Sequence, residues 1–269
     1  MYEPFFGLKE SAFNLTPDPR FVYFSRHHQE ALSAMIYGVE NRKGFIQLTG
    51  EVGAGKTTLC RTFLKKLNAN THTSLVLNPR FSEFELLQVI VEDFGIRPVR
   101  RKKKDYLDAL SQFLLDELKK GFNAVVIIDE AQLLTPKAME SIRLLSNFET
   151  ATMKLIQMVL VGQPELKVLL DRADLRQVKQ RINIRYHLPS LSREEVGHYI
   201  GHRLSIAGTD KIFFTDQAID LVHQMSGGVP RVINALADRA MLAAYTQSSK
   251  LIVPSMVEYA NADLQGIHS

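Results

Sequence analysis

The run Gly50-Glu51-Val52-Gly53-Ala54-Gly55-Lys56-Thr57 constrains this chain more than any other stretch. It fits the pattern G-x-x-x-x-G-K-[ST], in which glycines let the backbone approach a phosphate group. The apolar run Phe45–Leu48 before it predicts a buried strand, and apolar residues at helical spacing follow it. A strand, a glycine-rich turn and a helix N-terminus together bind anions. We therefore expect Gly50–Thr58 to bind a phosphate chain, with Lys56 on the β- and γ-phosphates and the Thr57 hydroxyl on Mg²⁺.

Strands and helices alternate over most of the chain, which predicts a parallel sheet. The β-branched run Val125–Ile128 is typical of a central strand that is covered on both faces. Other strands are predicted at Ser74–Leu77, Leu155–Val161 and Ile182–Ile184. From about Leu191 onward, helix caps and helical spacing recur without a strand between them. We predict an α/β fold with a three-layer α/β/α P-loop core, followed by a small all-helical domain.

Three parts are expected along the 269 residues. Residues 1–26 are irregular and rich in apolar side chains, so we expect them to pack on the core near the nucleotide. Residues 27–190 would form the α/β nucleotide-binding domain, and residues 191–269 the helical domain. No apolar run approaches the roughly 18 residues needed to cross a bilayer. Cys60 is the only cysteine, so an internal disulfide is excluded, as fits a reducing cytoplasm.

Two carboxylates and an amide follow predicted strands. Asp129 and Glu130 come directly after Val125–Ile128, and Gln163 follows Leu155–Val161 closely. Because parallel strands share one carboxyl edge, we expect both carboxylates to lie beside the phosphate loop. We assign Asp129 to Mg²⁺ and Glu130 to a general base for the attacking water. The Gln163 amide would contact the γ-phosphate or that water if its strand lies beside the phosphate-loop strand; otherwise it is a helix cap.

Positive charge is concentrated in one short run. Six of the eight residues from Arg97 to Lys104 are cationic, within a chain of net charge +4. The run is either a solvated connector between helices or a docking patch for acidic or phosphate-rich partners. No aromatic residue interrupts it, so base stacking is not indicated. Nucleic acid is therefore allowed as a partner but not required.

The order of these motifs resembles that of the AAA+ ATPases over nearly the whole chain. The resemblance rests on the phosphate loop, Asp129-Glu130, Gln163, Arg181 before a short strand, and Gly228–Arg231 opening a helix. More narrowly, Phe5–Leu8 and Phe13–Pro19 resemble the N-terminus of the ExeA-type ATPases. These are the A proteins of the general (type II) secretion pathway, with relatives in mannose-sensitive haemagglutinin pilus biogenesis and exopolysaccharide-linked sorting.

The resemblance implies an ATP hydrolase that uses ATP and Mg²⁺. It implies that Gln163 is sensor 1, and that Arg231 is sensor 2 and reaches the γ-phosphate from the helical lid. It also implies a homo-oligomer, a ring or partial ring, in which one subunit supplies an arginine finger to its neighbour. We choose Arg181 for that finger, with Arg176 and Arg185 as alternatives.

The resemblance also implies a cellular role. ATP hydrolysis would drive the assembly or remodelling of a secretion or pilus machine with an inner-membrane partner. The chain would be cytoplasmic, either peripheral at the inner membrane or the cytoplasmic part of a longer membrane protein. The alternative is an ATP-dependent DNA-binding regulator that resembles the AAA+ ATPases of transposition systems, in which the basic run would contact phosphates. A GTPase is not indicated, because no Asn-Lys-x-Asp motif occurs.

Overall fold

The structure, a computed structural model, describes residues 1–15, 18–99 and 102–266. Thr16 and Pro17 of the N-terminal motif and Arg100 and Arg101 of the basic run lie outside the described residues, as do residues 267–269 of the predicted helical domain. The chain divides into two compact units. The helical unit comprises Met1–His27, Glu51–Thr58 and Pro189–Ser269, and the α/β unit comprises His28–Gly50 and Leu59–Leu188.

A five-stranded parallel sheet forms the centre of the α/β unit, with the order β2-β3-β4-β1-β5. The strands are β1 (Phe45–Gly50), β2 (Thr71–Val76), β3 (Asn123–Ile128), β4 (Gln157–Gly162) and β5 (Ile182–Leu188). The predicted parallel sheet is therefore confirmed. β2 begins at Thr71 rather than at the predicted Ser74, because its polar first residues pair with Asn123 and Ala124 at a partly exposed edge of the sheet.

Helices cover both faces of this sheet. On one face, Phe45, Val126 and Leu160 belong to a buried cluster that includes side chains from several helices. On the other face, a Cβ atom added at Gly38 would lie only 2.5 Å from Ile46 Cδ1, so the helix that carries Gly38 packs directly on β1. The helices that belong to this part of the chain are α2 (Arg26–Glu40), α3 (Lys56–Lys66), α4 (Glu83–Asp93), α5 (Lys103–Lys119), α6 (Pro136–Leu145), α7 (Glu165–Leu170) and α8 (Arg176–Gln180). The layered α/β/α arrangement is the one that the sequence predicts.

In the described part of the helical unit, four longer α-helices follow a short N-terminal α-helix. They are α1 (Glu3–Phe6), α9 (Arg193–Ile206), α10 (Asp216–Ser226), α11 (Pro230–Thr246) and α12 (Pro254–Leu264). The start of α9 is a capping box, in which Ser192 Oγ accepts from Glu195 N at 3.3 Å and Glu195 Oε2 accepts from Ser192 N at 2.9 Å. From Pro189 to Gly266, the described residues form helices and turns without an extended strand. The predicted helical C-terminal part is confirmed.

The N-terminal segment is part of the core of the helical unit. Tyr2, Phe6 and Phe13 are buried in one hydrophobic cluster with side chains of α9 to α12. Burial among the helices of this unit stabilises these large aromatic side chains. That residues 1–26 pack on the core near the nucleotide stays a prediction. The boundaries at residues 26 and 190 stay predictions. None of the described helices combines the length and apolar character that a bilayer crossing requires.

Candidate active site

The predicted phosphate loop joins a strand to a helix. β1 ends at Gly50 and α3 begins at Lys56, so the residues between them form the turn. Gly53 and Gly55 have φ values of +82° and +96°, in the region that glycine adopts without a Cβ penalty. The positive end of the α3 dipole therefore follows directly after a loop of glycines. This local geometry is the one that an anion-binding loop needs.

Two cationic residues, Lys56 and Arg231, lie at this loop, and both belong to the helical unit. Lys56 Nζ donates a hydrogen bond to the Glu51 carbonyl at 2.9 Å, and the residue is buried. Arg231, in the first turn of α11, lies against the loop at Gly53. A Cβ atom added at Gly53 would lie 2.7 Å from Arg231 Cβ and 3.3 Å from Val229 Cγ1. The structure thus brings the predicted phosphate loop and the predicted sensor-2 arginine together.

Asp129 and Glu130 occupy the turn that follows β3. Asp129 is only 3% exposed, and its Oδ1 accepts a hydrogen bond from Glu130 N at 2.9 Å. Glu130 has φ +53° and ψ +38°, in the left-handed region that residues with a side chain seldom adopt. A strained backbone of this kind persists only where the surrounding structure holds it, and it is enriched at functional sites. The turn therefore fixes the backbone position from which the Glu130 side chain extends.

Three polar side chains at the ends of β3 and β4 form a closed hydrogen-bond network. Glu130 Oε2 accepts from Gln163 Nε2 at 3.1 Å and from Gln132 Nε2 at 2.5 Å. Gln132 Oε1 accepts from the backbone N–H of Gln163 at 3.1 Å. The predicted residues Glu130 and Gln163 are thus in direct contact. Sequence reasoning missed Gln132, although it is a polar residue within the apolar stretch Ala131–Leu134.

The strand order explains why these residues share one edge of the sheet. β4 pairs with β1 on one side and with β3 on the other, and all three strands are parallel. Gly50, Asp129 and Gln163 therefore mark the carboxyl ends of three adjacent strands. Strand β4, which Gln163 follows, thus lies beside the phosphate-loop strand β1, as the predicted role of the Gln163 amide requires. The arrangement presents a carboxylate pair and an amide at the edge where the phosphate loop begins.

Arg181, the predicted arginine finger, lies between α8 and β5. Its Nη1 donates to Ser146 Oγ at 2.8 Å, and Ser146 is 2% exposed. Of the two alternatives, Arg176 is exposed on α8, and exposed Arg185 donates from Nη2 to the Lys179 carbonyl at 2.6 Å. The Arg181 side chain thus has a specific partner within its own unit. Its role towards a neighbouring subunit stays a prediction.

Comparisons with known proteins show which family the chain resembles. A family model described as "AAA domain" matches residues 39–170, which contain the phosphate loop, Asp129, Glu130 and Gln163. The "General secretion pathway protein A" of Aeromonas hydrophila is 43% identical over 269 residues, which are 99% of this chain and 49% of that protein. This chain belongs to the AAA+ ATPases of the ExeA type. This ExeA-type ATPase spans about half the length of the Aeromonas relative.

Solved structures share the fold of this ExeA-type ATPase at low sequence identity. The Cdc6p protein of Pyrobaculum aerophilum has a TM-score of 0.70 and 18% identity, over 94% of this chain and 70% of that chain. The ORC2 protein of Aeropyrum pernix, in ADPNP–ADP complexes, has a TM-score of 0.66 and 18% identity, over 95% and 72%. The RuvB Holliday junction branch migration motor of Thermotoga maritima has a TM-score of 0.57 and 19% identity, over 91% and 70%. At these identities the similarity shows the fold alone.

Proposed function

We propose that this ExeA-type ATPase hydrolyses ATP with Mg²⁺ and uses the energy to assemble or remodel a secretion or pilus machine of the bacterial cell envelope. The observation that carries the proposal is the hydrogen bond between Glu130 and Gln163 at the sheet edge where β1 opens into the phosphate loop. A base and an amide that share this edge can act on the same terminal phosphate and water. The name of the Aeromonas relative supports the assignment to secretion.

The phosphate loop is proposed to bind the triphosphate through backbone N–H groups of Gly50–Thr58. Lys56 would move from the Glu51 carbonyl, its partner at 2.9 Å, to the β- and γ-phosphates. Such a move exchanges a hydrogen bond to a neutral carbonyl oxygen for hydrogen bonds to anionic phosphate oxygens, in which both partners are charged. Arg231 would contact the γ-phosphate from α11, because it already packs against Gly53 of the loop.

The residues proposed for the metal suit Mg²⁺. The Thr57 hydroxyl and the buried Asp129 carboxylate are oxygen donors, and Mg²⁺ binds through one or two carboxylates together with phosphate and water oxygens. The ion, when bound, neutralises the charge that develops on the phosphoryl oxygens. Asp129 is held in place for this task, since its Oδ1 accepts from Glu130 N and its own N–H donates to the Val76 carbonyl at 2.8 Å.

Glu130 is proposed to accept the proton of the attacking water. Within the described residues, both hydrogen bonds that its carboxylate accepts from amides reach Oε2. The carboxylate is therefore oriented by two donors, and Oε1 is the oxygen that remains to accept from water. Gln163 would report on the γ-phosphate, because its amide lies at the end of the strand beside β1. The chain is further proposed to act as a homo-oligomer at the inner membrane, with Arg181 reaching the active site of a neighbouring subunit.

A secretion assay in the source bacterium would test the cellular role. The chromosomal gene would be deleted and complemented with the wild-type gene, with the Lys56→Ala variant or with the Lys65→Ala variant, and proteins delivered outside the cell would be measured. We expect wild type and Lys65→Ala to restore delivery and Lys56→Ala to fail. Normal delivery in the deletion strain would overturn the proposed role, while leaving ATP hydrolysis to be judged with the purified protein.

A DNA-binding regulator is the second candidate, and the basic run favours it. Lys102, Lys103 and Lys104 are all exposed at the start of α5. Lys103 Nζ, however, is engaged with Glu83 Oε2 at 3.1 Å, which reduces the charge available to a phosphate backbone. Fluorescence anisotropy with a labelled duplex, with and without ATP, would separate the two candidates. Binding that falls steeply between about 50 and 200 mM salt would favour the regulator.

A further inference from the structure

The side chain of Gln132 connects the proposed base to the proposed sensor. Its Nε2 donates to Glu130 Oε2 at 2.5 Å, and its Oε1 accepts from the Gln163 backbone N–H at 3.1 Å. We propose that Gln132 is a positioning residue, which fixes the Glu130 carboxylate and couples it to the end of β4. This inference rests on the proposed function, because it takes Glu130 as the base.

The chemistry of the two neighbours determines which way the Gln132 amide points. A backbone N–H can only donate a hydrogen bond, so the atom that faces Gln163 N must be the carbonyl oxygen Oε1. The Nε2 group is then turned towards Glu130, where an ionised carboxylate can only accept. Gln132 therefore always presents a donor to the base. A side chain without both an acceptor and a donor could not join these two groups.

The backbone around the network favours this contact. Glu130 is in the left-handed region with φ +53°, and the 3₁₀ turn Ala131–Leu133 follows it. This tight turn brings the side chain two positions later back onto the Glu130 carboxylate. On the opposite side, Gly162 provides the space that the amide needs, because a Cβ atom added there would lie 2.6 Å from Gln132 Oε1. Strand β4 thus approaches Gln132 closely at a residue without a side chain.

The network has a mechanical consequence. Gln163 holds Glu130 by two routes, directly through its Nε2 and indirectly through its backbone N–H and Gln132. Any shift at the end of β4 is therefore transmitted to the carboxylate, so that the sensor and the base adopt their positions together. Without Gln132, the carboxylate would keep one of its two amide donors and would sample more orientations. Small displacements of a reacting group lower the rate strongly, by about 100-fold for an error near 1 Å.

Steady-state ATP hydrolysis by the full chain would test the inference. Gln132→Leu keeps the approximate size of the side chain and removes both hydrogen bonds. We expect kcat to fall about 10- to 100-fold while KM changes less than about threefold, since the residue acts on the base and not on substrate binding. The matched control is Gln177→Leu at an exposed glutamine of α8, which should keep the wild-type kcat. A folded Gln132→Leu protein with wild-type kcat would overturn the proposal.

A double-mutant cycle separates this role from a merely structural one. Because Gln132 acts through Glu130, Gln132→Leu should lower the residual turnover of the Glu130→Gln variant by less than about threefold. An equal loss in both backgrounds would overturn the proposal, since it would mean that Gln132 acts without Glu130. If Gln132→Leu fails to fold, Gly162→Ala supplies a second test, because the added Cβ atom displaces the Gln132 amide. Gly162→Ala should lower kcat in the same way. An unchanged kcat would count against the proposal. Wild-type turnover by Glu130→Gln itself would instead refute the proposed base.

Discussion

The Gln163 side chain, at the end of β4, donates a hydrogen bond of 3.1 Å to the Glu130 carboxylate at the end of β3. The contact joins two strands that pair in parallel through Val126 and Met158 and that are separated in sequence by α6. It makes the end of one strand sensitive to the position of the other. Strand β4 lies between β3 and β1, the strand that ends where the predicted phosphate loop begins.

Glu130→Gln should bind ATP and fail to hydrolyse it. The amide oxygen of the new side chain can still accept from Gln132 and Gln163, so the local fold is kept, but an amide cannot take a proton from water. We expect kcat to fall at least about 100-fold, as is usual when a general base is lost, with little change in the Kd for ATP. Phosphate release and binding of a fluorescent ATP analogue would measure the two quantities. Glu165→Gln, at an exposed glutamate on α7, is the control, and a variant at Glu130 that turns over normally would remove that residue from its role.

Lys56→Ala should abolish nucleotide binding. The lysine is buried at the start of α3 and bends back to the Glu51 carbonyl, so its charge is confined to the phosphate loop. We expect the Kd for ATP to rise at least about 100-fold, which corresponds to a loss of roughly 2.7 kcal/mol. Isothermal titration calorimetry would measure the change. Lys65→Ala removes an exposed lysine from the same helix and should bind like the wild type; equal affinities for all three proteins would contradict the assignment.

The sequence was enough to predict those parts of the candidate site that depend on local patterns. The phosphate loop was predictable because a strand, three glycines and a helix follow one another within Phe45–Leu67. Asp129 and Glu130 were predictable for a similar reason, since they end the apolar run Val125–Ile128. In each case the predicted functional residues lie directly next, along the chain, to the strand or helix that positions them.

Contacts between distant segments could not be predicted in this way. The Gln132 contact depends on β4 pairing with β3, and strand order is a property of the whole sheet. The aromatic residues of the N-terminal segment indicated burial, but not the surface that covers them. That surface includes Arg203 of α9, which lies 191 residues along the chain from its partner Ala12. Neither pairing leaves a periodic pattern in the sequence.

Gly53→Ala should weaken nucleotide binding more than it weakens the fold. The residue has φ +82°, and its new Cβ would lie 2.7 Å from Arg231 Cβ, so either the loop or the arginine must shift. We expect the Kd for ATP to rise about 10-fold or more. Gly95→Ala is a matched control, because Gly95 has φ +76° with no atom within 4 Å of the added Cβ. That control should lose about 1 kcal/mol of stability and keep its affinity; the same affinity loss in both variants would show that contact with Arg231 is not the cause.

Arg181→Ala should lose ATP hydrolysis, and a second subunit that carries Arg181 should restore it. In a mixed oligomer, the variant would supply an intact phosphate loop, and a Lys56→Ala subunit would supply the arginine. We expect mixtures of the two inactive proteins to regain activity. Ser146→Ala is the control, because it removes the 2.8 Å hydrogen bond to Arg181 and keeps the arginine itself. Mixtures that stay inactive, although gel filtration shows mixed assembly, would move the finger to Arg176 or Arg185.

Arg203→Ala should destabilise the helical unit and release the N-terminal segment. Arg203 is 7% exposed, and its guanidinium donates to the carbonyl oxygens of Ala12 at 2.5 Å and Asn14 at 3.3 Å. It also lies 4.9 Å from the centre of the Phe21 ring and donates to the Tyr199 hydroxyl at 3.0 Å. Burial raises the pKa of Tyr199, so this hydroxyl stays protonated beyond the pH range in which an exposed tyrosine ionises.

Removing Arg203 therefore leaves two carbonyl groups and a buried hydroxyl without their charged donor. Hydrogen bonds from a charged group contribute about 1.5–3 kcal/mol each, so the loss of three such bonds should lower the free energy of unfolding by at least about 3 kcal/mol. Urea denaturation would measure this loss, and limited proteolysis should cut within residues 1–25 first. Arg193→Ala, on the same helix α9 as Arg203, removes an exposed ion pair to Asp220 of α10 and should cost less than about 1 kcal/mol. If the two variants unfold at the same urea concentration, the buried arginine does not hold the segment, and the aromatic cluster alone must account for its position.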